Sequence, residues 1–174
     1  MKKVLIAVDD TMGSKAILSV YNNLVRRPES VVLLHVQRPG GKSLMYEMLG
    51  EAEMSTLKES LEGSEHQARL DEQAYEILSF YKKELEDGGL VPIKTVIRWG
   101  HPVDEIVKVA SEENADLIIV GCNGKSKLHK LVSGCVTRDV EKSSGVPVLV
   151  AKAKTGGCSK GEKALGLREA YNAR

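Results

Sequence analysis

Asp116-Leu117-Ile118-Ile119-Val120 runs directly into Gly121-Cys122-Asn123-Gly124, and after nine further residues the chain reads Gly134-Cys135-Val136-Thr137. An apolar, β-branched run of this kind is a strand buried on both faces, the habit of a parallel sheet. Val136, Val140 and the segment to Ser144 have the spacing of a short helix. Glycine therefore stands where a strand ends and again where a helix begins. Bare main-chain N–H groups at such a place, helped by the positive end of a helix dipole, suit an anion, and phosphate is the first choice. The plainer reading is a turn with close helix–strand packing.

Outward from this strand the same alternation repeats. Val4–Val8 is an apolar strand followed by Asp9-Asp10-Thr11. Ile17, Val20, Tyr21, Leu24 and Val25 fall at helical spacing, with Thr11 or Ser14 as N-cap, and Pro28 closes the element. Val31–Val36 is a second buried strand, ended by Pro39-Gly40-Gly41. Leu70, Ala74, Ile77, Leu78, Tyr81 and Leu85 define a helix face that stops at Asp87-Gly88-Gly89. Val91–Arg98 is β-rich, and Pro92 near its start suits an edge strand. Pro102 opens a helix with Val103, Ile106, Val107 and Ala110 inward, and Gly145–Val150 holds the fifth strand. Strands alternating with helices through right-handed crossovers predict one α/β domain, a doubly wound five-stranded parallel sheet with its ligand at the carboxyl ends of the strands.

The bulk numbers agree. The 174 residues suffice for one well-buried domain, and with 42% hydrophobic but only 4% aromatic residues its core must be aliphatic. A net charge of +1 gives no whole-chain argument for nucleic acid or membrane. Met1-Lys2-Lys3 leads straight into a strand, without the pattern of a signal peptide, and no apolar run approaches a membrane span. Three cysteines make no disulfide framework, so the expected setting is cytoplasmic and reducing.

The glycine spacing resembles that of the universal stress proteins, whose ATP-binding members carry G-x2-G-x9-G-[ST]. Every glycine is in register here, with Cys135 in place of the final Ser or Thr. Further anchors of the resemblance are Ala7-Val8-Asp9, Leu34-His35-Val36, Gly100-His101-Pro102, Ala115–Gly121 and Pro147–Val150, so it covers nearly all of residues 3–151. It implies an adenine nucleotide alpha hydrolase-like fold with strand order 3-2-1-4-5, which brings the ends of strands one and four together at Val8-Asp9 and Val120-Gly121. It also implies ATP contacts at Ala7, Val8, Asp9, Val36, Val120, Gly121, Asn123, Gly124, Gly134, Cys135, Val136 and Thr137. Lys125 and Lys127 stand in a basic stretch where they can neutralise phosphates; the plainer reading is an exposed charged loop. Taken alone, Val36 reads as a core valine and Asp9 as a helix-entry carboxylate. A divalent cation, Mg or Mn, would bridge the nucleotide's phosphates without a protein cage. A thiol at residue 135 is a poor donor, so losing one good hydrogen bond to a charged partner costs about 1.5–3 kcal/mol, roughly one to two decades of affinity.

Competing motifs fall away. Gly124-Lys125-Ser126 resembles the end of a Walker A loop, but Ile119 stands where that loop needs its first glycine. There is no Gly-x-Gly-x-x-Gly fingerprint, and His35, His66, His101 and His129 have no metal-ligand spacing. No nucleophile elbow, triad or paired carboxylates are visible. An adenylating enzyme would carry a phosphate loop after strand one, where Asp9–Ser14 offers one glycine.

Two segments lie outside the repeating pattern of this 1–151 domain. Residues 40–64 form an amphipathic helical insert with Leu44, Met45, Met48, Leu49, Ala52, Met54 and Leu57, read as a cover or lid for one side of the pocket or as a docking face. Residues 152–174 carry net +4, leaving the remainder at about −3, and compose a basic, flexible tail. The expected function is nucleotide binding by a stress-related regulatory homodimer, paired through strand five at Val146–Val150, with an unidentified protein partner and at most slow ATP hydrolysis. The alternative is a nucleotide-independent dimer of the same family acting through protein partners.

Overall fold

The computed structural model describes residues 2–38, 48–89, 91–122 and 136–152. Along the chain these give β1 (Lys3–Ala7), α1 (Met12–Leu24), β2 (Ser30–Gln37), α2 (Glu51–Leu61), α3 (Glu65–Asp87), β3 (Ile93–Trp99), α4 (Pro102–Glu112), β4 (Leu117–Cys122), α5 (Val136–Ser143) and β5 (Val148–Lys152). The five strands form one parallel sheet in the order β3-β2-β1-β4-β5. The order reverses at β1, which pairs with β2 on one side and β4 on the other. Both the sheet type and the order implied by the sequence are observed.

Alternation along the strands splits the core in two. Val4, Ile6, Val31, Leu33 and Ile119 face a cluster completed by Ile17 and Tyr21 of α1 and by Ile77, Leu78, Tyr81 and Leu85 of α3. Leu5, Val32, Leu34, Ile118 and Val120 face the other cluster, with Ile106, Val109 and Ala110 of α4 and Val140 of α5. The strands are apolar on both sides because helices cover both.

Local chemistry sets the element ends. Just before β4, the Asp116 carboxylate accepts from the main-chain N–H groups of Lys2 (2.6 Å) and Lys3 (2.9 Å), and its own N–H donates to Lys3 O at 2.9 Å, fixing the entry of β1 beside that of β4. These bonds, that from Lys3 foremost, hold its carboxyl below the usual range. Pro92 does lie at an edge: its carbonyl accepts from Val31 N–H at 2.9 Å, and β3 begins one residue later. The β3 edge carries charge, with Lys94 on Glu113 and Arg98 on Glu112 and Glu105. Such charge discourages pairing with another chain. Gly100 has φ +143°, a conformation side chains rarely adopt, and so lets β3 turn into α4 at His101-Pro102.

Within the expected insert, α2 forms at Glu51–Leu61, with Met54 buried and Met48 83% exposed. Ser64 then caps α3, its hydroxyl accepting from Gln67 N–H at 3.2 Å. On α3 the fully buried face begins at Ala74; Leu70 is half-buried. Among the described residues no helix is long and apolar enough to cross a membrane.

Candidate functional site

The reversal of strand order at β1 leaves a crevice at the carboxyl ends of β1, β2 and β4. Here the register sets Ala7 beside both Leu34 and Val120. Such a switch point is where ligands bind in this class of sheet. Of the residues expected to bind, Ala7, Val8, Asp9, Val36, Val120 and Gly121 converge on it. Val8 and Val120 are buried, while Ala7, Asp9, Val36 and Gly121 are part-exposed. Val136 and Thr137 open α5, and Thr137 is buried in that first turn. Asn123, Gly124, Lys125, Lys127, Gly134 and Cys135 lie outside the described residues, as do the whole 153–174 stretch and residues 40–47 of the insert.

Beyond Ala7 the chain leaves the sheet, and side chains take over its main-chain bonds. Val8 N–H still donates to Leu34 O at 2.9 Å. A further rung of the β1–β4 ladder would send Asp9 N–H toward Gly121; it goes instead to Ser14 Oγ at 3.0 Å. Ser14 Oγ in turn donates to Asp9 Oδ1 at 2.5 Å, and the same oxygen accepts from Thr11 N–H at 3.0 Å and from the Thr11 hydroxyl. Three donors thus hold one carboxylate oxygen of Asp9, orienting the group as a fixed acceptor. Thr11 is the N-cap of α1 by backbone conformation, but its side chain makes no cap bond, since its hydroxyl is engaged by Asp9.

Behind this turn stands Tyr81 of α3, buried in the core cluster that α3 shares with β1 and α1. Burial, and then the Asp9 carboxylate, push the phenol well above its ordinary pKa, so it remains a neutral hydroxyl. On the other side of β1, His35 of β2 places Nδ1 2.9 Å from Val8 O, which makes that nitrogen the donor. Sequence reading had singled out neither His35 nor Tyr81 as a site residue. Ser14 was recognised only as a possible cap, although the Asp9, Thr11, Ser14 spacing is that of an aspartate-anchored turn.

A second polar group braces the rim. Gln37, buried at the end of β2, donates to Asp71 Oδ1 at 2.8 Å, and Gln67 donates to the same oxygen at 2.9 Å. His101 Nε2 lies 3.1 Å from Leu49 O and ties the approach to α2 to the start of α4. Two other hollows are separate from the crevice. One of about 150 Å³, lined by Tyr21, Val25, Arg27 and Gly89 among others, lies at the opposite end of the sheet. The other is an open groove of about 470 Å³ along α2, lined by Leu49, Ala52, Glu53, Thr56, Leu57 and Ser60.

The topology and crevice define a doubly wound α/β protein of the adenine nucleotide alpha hydrolase-like class. More narrowly, the chain belongs to the universal stress protein family, whose model matches residues 1–152. It is 40% identical over 131 residues to universal stress protein MJ0577 of Methanocaldococcus jannaschii, covering 74% of this chain and 80% of that one. The solved structure of MJ0577 superposes with a TM-score of 0.63 at 34% identity, covering 88% of this chain and 96% of that one. Two more distant structures share the fold at 20% identity and a TM-score of 0.59. One is a universal stress protein in complex with cAMP, covering 87% of this chain and 96% of that one. The other is a family member from Arabidopsis thaliana with AMP bound, covering 89% and 94%.

Proposed function

We propose that this protein binds an adenine nucleotide, ATP foremost, in the β1/β4 crevice and acts as a stress-related regulator through that binding. The observation that carries the reading is the switch point of the sheet: β1 ends between β2 and β4, with Asp9 locked as an acceptor by Thr11 and Ser14. A carboxylate in that position repels phosphate but receives hydrogen bonds from a nucleoside. The anionic end is assigned to the β4–α5 connection, whose glycines Gly124 and Gly134, with Cys135, Lys125 and Lys127, carry the chemistry a phosphate needs. Adenine nucleotides bound by two relatives of the same fold support the ligand class. A magnesium or manganese ion would supply charge neutralisation between phosphates, and the chain's own residues orient the nucleoside.

Binding is the activity; turnover is at most slow, because the reading assigns no general base to the crevice. The working unit is a homodimer joined through β5, in the cytoplasm, passing the bound state to a protein partner. Isothermal titration with ATP, ADP and AMP, with and without Mg²⁺, tests the proposal: saturable heat at one site per chain is expected, and no heat together with no displacement of a fluorescent ATP analogue rejects it.

The second reading, a nucleotide-independent dimer acting through protein partners, is favoured by one residue, Cys135, where the ATP-binding motif of the family has a hydroxyl.

A further inference from the structure

The parallel ladder between β1 and β2 breaks in an instructive way. Leu34 is paired with Ala7, and its carbonyl accepts from Val8 N–H at 2.9 Å. The alternation of a parallel ladder therefore turns the N–H and C=O of Val36 toward β1, and its next rung is Val36 N–H to Val8 O. Among the described residues that rung is not formed; the His35 imidazole donates to Val8 O from 2.9 Å instead. On its other side β2 meets β3 through His35 and Gln37, the latter accepting from Gly100 N–H at 3.4 Å. Val36 thus presents an adjacent donor and acceptor over the end of β1, and the side chain of its own neighbour keeps them from closing onto the strand.

We infer that His35 is a positioning residue that holds Val8 O away from the Val36 amide, so that the Val36 main chain reads the base of the bound nucleotide. The inference rests on the nucleotide reading of the crevice. A main-chain N–H beside a C=O matches adenine, which offers N1 as acceptor and its exocyclic amine as donor. Hypoxanthine offers the reverse, a donor at N1–H and a carbonyl at position 6. A site built from such a pair rejects the mismatched base because its polar groups would be left unpaired. His35 performs this task only as an Nδ1–H donor, a position the side-chain amide of asparagine imitates and leucine does not.

The test compares wild-type protein with His35→Leu and His35→Asn, checked for equal folding by thermal melting. Titration with ATP and with inosine triphosphate is expected to show His35→Leu losing about tenfold in ATP affinity and most of the preference for ATP. His35→Asn is expected to stay within about threefold of wild type on both counts. Independently of any ligand, the Val36 amide is expected to exchange with solvent deuterium about tenfold more slowly in His35→Leu, as the missing rung forms. Unchanged Val36 exchange together with an unchanged ATP-to-inosine ratio overturns the inference. Absence of nucleotide binding by the wild type would instead reject the nucleotide reading, and the exchange measurement still decides what His35 does.

Discussion

Ala7 and Val120 are Cα partners across adjacent parallel strands, although most of the chain separates them in sequence. Their pairing puts the turn at Asp9 next to Gly121, and so assembles one crevice from the two ends of the domain. Strands one and four carry different roles there. The first supplies a fixed carboxylate, the fourth a glycine at the exit toward the connection proposed to hold phosphate. On the β1 side, hydrogen bonds tie the end of the strand to α1 through Ser14 and to β2 through His35.

Ser14→Ala removes the hydroxyl that both accepts from Asp9 N–H and donates to Asp9 Oδ1, in a residue 3% exposed. A buried N–H left without a partner costs about 1–3 kcal/mol. Urea unfolding is expected to show a loss in that range with an unchanged slope, together with weaker nucleotide binding. An unchanged midpoint would mean that solvent replaces the hydroxyl.

Tyr81 gives the molecule a weak point in alkali. Its folded pKa is raised by burial and by Asp9, so the neutral phenol stabilises the fold fully below the ordinary tyrosine pKa. As pH rises through and beyond about 10, the unfolded state ionises first and that stability is lost. Tyr81→Phe is expected to flatten the fall in melting temperature between roughly pH 9.5 and 11.5. A variant that falls as steeply as wild type would place the alkaline sensitivity elsewhere.

The architecture was readable in the sequence because period and punctuation agree: runs such as Val31–Val36 are too short and too β-branched for helices, and glycine or proline brackets them. The edge position of β3 agrees with Pro92 near its start. Strand ends were less legible. The entry of β4 is pinned to β1 by the Asp116 side chain on Lys2 and Lys3, and β1 ends at Ala7, where His35 and Ser14 capture the next main-chain groups. Contacts of this kind join residues distant in sequence and leave no periodic trace. Thr137, one of the nucleotide contacts implied by the resemblance, is buried in the first turn of α5.

Glu113 lies between Lys3 and Lys94, at 3.4 and 2.6 Å, and the hydrogen bond from Lys94 does most to hold its carboxyl below the ordinary range. A carboxylate with a depressed folded pKa stabilises the protein above its unfolded pKa and loses that contribution as pH falls through the folded value. Glu113→Gln is expected to cost less than about 1 kcal/mol at neutral pH, as solvent-screened pairs do, and nothing at pH 2. Melting curves at the two pH values check it; an equal loss at both would assign the effect to packing.

The β5 edge offers a clean test of the proposed dimer. Ile118 N–H donates to Pro147 O, so Pro147, Leu149 and Ala151 form the rungs to β4, and the N–H groups of Val148 and Val150 face away from the sheet. Proline at residue 150 removes one outward donor without touching the β4 ladder. Val150→Pro is expected to convert a dimer to monomer in light scattering while retaining the wild-type circular dichroism. A dimer that persists would place the interface on another surface.

Cys135→Ser decides between the two functional readings. If the crevice binds nucleotide in the natural protein, restoring the hydroxyl adds one charge-assisted hydrogen bond to phosphate, and ATP affinity is expected to rise by about one to two decades. The gain should be confined to ligands that carry phosphate there, so adenosine affinity should not move. If binding appears only in the variant, the nucleoside half of the site is intact and the thiol alone silences it, which makes the natural protein a nucleotide-independent member of its family. If neither protein binds, the crevice formed by Asp9, Val36 and Gly121 has another ligand, and the adenine nucleotide proposal fails.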